Sequence, residues 1–154
     1  MGDARLTLAR EPDGRFDVLL IDAFSSDAIP VHLITCETLR MYFQKLTPRG
    51  LVMLHLSNRH LRLAPVVAGT AAALGVTARL REDYDDTAVG KSPSMWAVLA
   101  RTPEDLGRLK DDPAWKPLEP EPGVPIWTDD YSSIVSVMNW SWLPSEKRKG
   151  AAAE

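Results

Sequence analysis

Two acidic clusters have the residue types and spacing to do chemistry. In Asp22-Ala23-Phe24-Ser25-Ser26-Asp27, two carboxylates five positions apart are joined through a pair of hydroxyls. One carboxylate can take a proton from an amine or hydroxyl while the other holds a cationic substrate. Like charges close together raise one pKa, which suits a general base. The same residues also have a structural use, with Asp27 capping a turn and Asp22 binding backbone amides of the loop. In Trp127-Thr128-Asp129-Asp130-Tyr131, adjacent acids flanked by aromatic rings can line a pocket for a polyamine or another cation. Alternatively, Thr128 or Asp129 caps the free amides of a helix start. The acids Asp83, Asp85 and Asp86 around Tyr84 read as a solvated loop.

Other chemistries lack their residues. His32, His55 and His60 have no metal-ligand spacing and the lone Cys36 has no partner, so no metal is expected. Cys36 reads as a packed thiol. No serine lies in G-x-S-x-G, which excludes a nucleophile elbow. The glycines never form G-x-G, the turn that cradles a phosphate or adenosyl group after a first strand. The 154 residues carry a net charge of −3 with both signs mixed, so no basic face invites nucleic acid. No apolar run reaches the ~20 residues that span a bilayer. The single cysteine and the absence of a charged-then-apolar leader pattern predict a cytoplasmic chain.

The elements that must position the acids follow from periodicity and punctuation. Hydrophobic residues make up 45% of the chain, enough for one cored domain. Residues 1–10 predict a short strand or turn and then a first helical turn. Residues 11–15 are turn chemistry, and the apolar run 16–23 predicts a strand buried on both faces, delivering Asp22 at its carboxyl end. Thr35 is placed to cap a helix over 36–46, with Leu39, Tyr42, Phe43 and Leu46 at helical spacing. Pro48 and Gly50 stop that helix, and 51–56 is the next strand. A helix over 64–74 follows, ending at Gly75. Strands are predicted over 76–80 and 95–100, with a polar loop at 83–94 between them. Pro103 opens a short helix over 103–109. Five prolines make 111–126 irregular, 127–131 is a loop, and 132–138 is a last short strand or helix. Residues 144–154 read as a flexible tail behind one domain over 1–143. Strand and helix in alternation predict a mostly parallel α/β sheet with flanking helices.

The segments G-D-A-R-L at the start, F-D-V-L-L-I-D-A-F-S-S-D-A-I-P-V-H-L, H-L-S-N-R and W-T-D-D-Y resemble the spermidine synthase-like family over roughly residues 2–138. The likeness is to the bacterial branch in which this domain often follows a membrane transporter domain. A transporter-like region upstream would make the location membrane-associated. The resemblance implies a Rossmann-like class I methyltransferase fold and aminopropyl transfer from decarboxylated S-adenosylmethionine to a polyamine such as putrescine. It places Asp3 and Ala4 beside the adenine and Asp22 as the catalytic acid, next to the donor. Ser25, Ser26, Asp27, Asp129, Asp130 and Tyr131 would bind the amine substrate. The sequence departs from the family pattern, since four residues rather than two separate Asp22 from Asp27 and Ala28 replaces the proline after the second acid. The altered loop keeps open an S-adenosylmethionine-dependent methyltransferase.

By the same resemblance, the N-terminal strands with the glycine-rich donor loop are missing. That keeps open an inactive remnant or interaction module. It also predicts weak donor binding by this chain alone, with apolar surface exposed near Val18 and Leu20 on a strand that becomes an edge. A homo-oligomer or a missing N-terminal half would then cover the edge.

Overall fold

The computed structural model describes residues 3–23, 30–58, 60–87 and 89–139. Five strands form an open sheet: β1 (Phe16–Ile21), β2 (Leu46–His55), β3 (Thr77–Asp83), β4 (Ser94–Ala100) and the two-residue β5 (Lys116–Pro117). Their spatial order is β1-β2-β4-β3-β5. Among the described strands only β1 and β2 pair in parallel; β4 enters antiparallel between β2 and β3, and β5 pairs antiparallel with β3. The expected mostly parallel sheet is therefore a mixed one, in which β1, β2 and β3 share a direction. The reason is local. Among the described residues no helix lies between β3 and β4, and consecutive strands joined by a plain loop pair antiparallel.

The helices are α1 (Ala4–Ala9), α2 (Cys36–Lys45) and α3 (Leu63–Ala73). Asp3 caps α1, accepting from the amides of Arg5 at 2.8 Å and Leu6 at 3.1 Å. The strand considered for residues 1–10 is absent among those described. Thr35 caps α2 through the amide of Thr38, as expected. The guanidinium of Arg101 closes the other end of α2, donating to the carbonyls of Phe43, Thr47 (2.7 Å) and Pro48 (3.0 Å). Gly75 follows α3 at φ +66°, a left-handed position that suits glycine. The expected helix at 103–109 is a 3-10 segment, Pro103–Lys110, bent at Gly107. The last expected element is a 3-10 turn, Val135–Val137. The tail at 144–154 lies outside the described residues.

Alternation along the strands gives the sheet two unlike faces. One carries Leu19, Val52, Leu54, Ala97 and Leu99, and packs against Leu39, Tyr42 and Phe43 of α2 and Val66, Val67 and Ala71 of α3. Trp127 is fully buried in this core. The other face is covered only in part, where Leu106 and Trp115 pack on Val98 and Ala100. The rest is open: Val18 is 50% and Leu20 57% exposed. The edge expected at β1 is present, because β1 pairs with β2 alone among the described strands. The expectation that this strand is buried on both faces fails: among the described residues, Val18 and Leu20 stay exposed on its outer face.

Between β1 and β2 the register jumps, with Phe16 opposite Leu46 but Val18 opposite Leu51. Residues 47–50 make the excursion, so β2 begins earlier than the expected strand at 51–56. Thr47 turns back to donate its hydroxyl to Asp17 at 2.9 Å. Gly50 sits in contact with β1; a Cβ there would lie 2.8 Å from Leu46 Cβ and 3.0 Å from the Phe16 carbonyl oxygen.

Candidate functional site

Parallel pairing of β1 and β2 brings their carboxyl ends together, the end of an open α/β sheet where ligands bind. Asp22 directly follows β1 and His55 is the last residue of β2. His55 Nδ1 lies 2.7 Å from Asp22 Oδ1. No partner for Asp22 Oδ2 is found among the described residues. The imidazole of His55 stacks on the indole of Trp96, its cross-strand partner, with centroids 4.6 Å apart and planes at 18°. The open face continues below this trio as a depression of about 320 Å³ that includes Leu20, Met53 and Trp115. Ser25, Ser26 and Asp27 lie outside the described residues.

The second acidic cluster forms a separate centre. Asp129 accepts two hydrogen bonds from the Arg5 guanidinium, at 2.7 and 2.5 Å, and one from the Thr35 hydroxyl at 2.8 Å. Its own amide donates to Glu37 at 3.0 Å. Arg5 and then Thr35 hold the Asp129 carboxyl below its ordinary value, and Asp129 in turn raises the Arg5 guanidinium. His32 Nε2 stands 3.1 Å from Asp3 Oδ2. The Leu6 amide, followed by Arg5 and His32, lowers the Asp3 carboxyl. Arg5, His32, Thr35, Thr128 and Asp129 line a cavity of about 550 Å³. Thr128 and Tyr131 close a tight turn, with Tyr131 donating its amide to Thr128 Oγ1 at 3.1 Å. Asp130 and Tyr131 are exposed beside it, and Ala4 is exposed in the first turn of α1.

Asp129 thus lines one cavity and is linked through Arg5 and His32 to Asp3, while Asp22 stands in a different pairing with His55. Sequence reasoning missed His55 and Arg5. For His55 a signal existed: Asp22 and His55 occupy equivalent places at the ends of successive apolar runs. For Arg5 there was none. Cys36 is buried, and burial pushes its thiol up, as a packed cysteine requires. Among the described residues no group of three or more His, Cys, Asp or Glu could hold a metal ion. No described helix is long and apolar enough to cross a membrane.

No protein-family model matches this sequence, and no curated protein does. Among solved structures, a probable spermidine synthase from Corynebacterium glutamicum superposes with a TM-score of 0.56 at 16% identity, over 86% of this chain and 54% of that one. MNMC2 from Aquifex aeolicus gives a TM-score of 0.42 at 18% identity, over 78% of this chain and 37% of that one. The chain shares the Rossmann-like, methyltransferase-like α/β fold of the Corynebacterium structure. The chain spans about half the length of the Corynebacterium protein.

Proposed function

We propose that this chain contributes the acid side of an alkyl-transfer site. It serves aminopropyl transfer from decarboxylated S-adenosylmethionine to a polyamine such as putrescine. The observation that carries the reading is Asp22: a carboxylate just past the carboxyl end of β1, its side chain 56% exposed, with Oδ2 open among the described residues. In the step, the amine nitrogen bonds to the carbon next to the sulfonium as the carbon–sulfur bond breaks. The bonding pair goes to sulfur, and the amine proton passes to Asp22 Oδ2. Asp130 and Tyr131 stand exposed for the distal ammonium. In this reading Asp129 acts by holding Arg5 and Thr35, because its oxygens already accept from both. Asp3 and Ala4 would face the adenine. Oδ1 of Asp3 caps α1 and Oδ2 faces His32, so base recognition there would share a carboxylate already in use.

The test offers the protein isolated from its own cells each sulfonium donor in turn, with putrescine. Methylthioadenosine released from the decarboxylated donor supports aminopropyl transfer. S-adenosylhomocysteine from the other donor would point to methyl transfer instead. No product from either donor, or a rate unchanged in Asp22→Asn, would end the reading.

A further inference from the structure

His55 is held on two sides. Its ring lies flat against Trp96 on β4, and its Nδ1 meets the carboxylate that follows β1. An ionised carboxylate can only accept, so the proton between them belongs to Nδ1 of His55. Residues of three neighbouring strands thereby form one chain, from Trp96 through His55 to Asp22. The end of that chain needs support. The Asp22 side chain is 56% exposed and follows a strand with one neighbour among the described strands, whereas His55 is only 23% exposed.

We propose that His55 is a positioning residue for Asp22. With the ring fixed by Trp96, its Nδ1–H occupies Oδ1 and leaves Oδ2 presented to the attacking amine. The inference rests on the transfer reading above. His55 keeps its own proton throughout the step, and its contribution is geometric. Such a contribution is large enough to read, because a misplacement of about 1 Å can cost on the order of a hundredfold in rate.

Two measurements on the full protein separate this inference from the reading beneath it. The first is the long-range proton–nitrogen spectrum of the histidine side chains, in the native protein and in Asp22→Ala. The native spectrum should show His55 protonated on Nδ1. The variant should revert toward the Nε2–H form that free imidazole prefers. The same tautomer in both would overturn the proposal. The second is transfer kinetics for His55→Phe, which keeps the stack without the donor, and His55→Asn, which restores an N–H at similar reach. His55→Phe should lose kcat by roughly tenfold with little change in KM, and His55→Asn should recover most of it. Equal kcat for His55→Phe and the native protein would also overturn the proposal. An inactive native protein with the Nδ1–H tautomer would sink the transfer reading and leave the pair standing; an active one without it would sink the pair alone.

Discussion

Arg5 and Asp129, 124 positions apart, meet through paired hydrogen bonds of 2.7 and 2.5 Å. The pair fastens the first helix to the late aromatic loop, and Thr35 joins it from the cap of α2 at 2.8 Å. One carboxylate therefore ties three separate stretches of chain. Asp129→Asn should destabilise the protein by about 1 kcal/mol at neutral pH, a modest figure because solvent screens a carboxylate that is 38% exposed. The Asp129 carboxyl titrates below its ordinary value of 3.8 in the folded state. Its contribution is thus complete above that value and lost as pH falls through the lowered one. Urea midpoints of the native protein and the variant should differ at pH 7 and converge in acid. A gap that stays constant with pH would contradict this assignment.

Asp22 separates stability from chemistry. It is exposed and bonded by one side chain, so Asp22→Asn should move the unfolding free energy by less than about 0.5 kcal/mol. Loss of a general base costs roughly a hundred- to ten-thousandfold in rate. Thermal melts and the transfer assay on the same preparation should therefore diverge. A variant that unfolds early would mean that the carboxylate serves the fold.

The open face of the sheet should be adhesive. Val18 and Leu20 point the same way from a strand that is at the sheet edge among the described strands, at 50% and 57% exposure. Charge on an edge strand discourages pairing with other chains. The double variant Val18→Lys, Leu20→Lys should bind less of an apolar dye and sediment as a smaller species than the native chain, with little loss of stability. Unchanged dye binding would place the sticky surface elsewhere.

Gly50 is set by contact rather than by backbone angle. An added methyl would meet Leu46 Cβ at 2.8 Å and the Phe16 carbonyl at 3.0 Å. Gly50→Ala should cost about 1–3 kcal/mol through overpacking where β2 resumes beside β1. Hydrogen exchange should report the loss first at the start of β1; protection there equal to the native level would count against the contact.

Local features were legible in the sequence. Thr35 announced α2, and Gly75 announced the end of α3, because caps depend on a few adjacent residues. The resemblance of the acidic segments led to a fold type that the superposition supports. What depended on distant partners was not legible. Strand periodicity says nothing of which strand lies beside which, so the place of β4 between β2 and β3 was missed. The polar stretch at 83–94 did carry a hint, since it has no crossover helix and parallel neighbours need one. His55 stands in the sequence as the first residue of H-L-S-N-R and as a histidine without metal-ligand spacing, neither of which gives it a role. Its pairing with Asp22 depends on the register of β1 against β2, which the excursion at residues 47–50 shifts. Arg5 looked like an ordinary surface cation because its partner arrives 124 positions later.

The inserted strand has a consequence for the order in which the molecule can assemble. When the ribosome has delivered β3, the neighbour it needs does not yet exist, because β4 must come between β3 and β2. The sheet therefore cannot grow by adding each strand as it is made. β3 can join the sheet only with β4 or after it, because β4 supplies its neighbour on the side of β2. Until residue 100 has emerged, β2 shows bare backbone along that side, and the nascent chain is most open to capture by other unfolded chains during this interval.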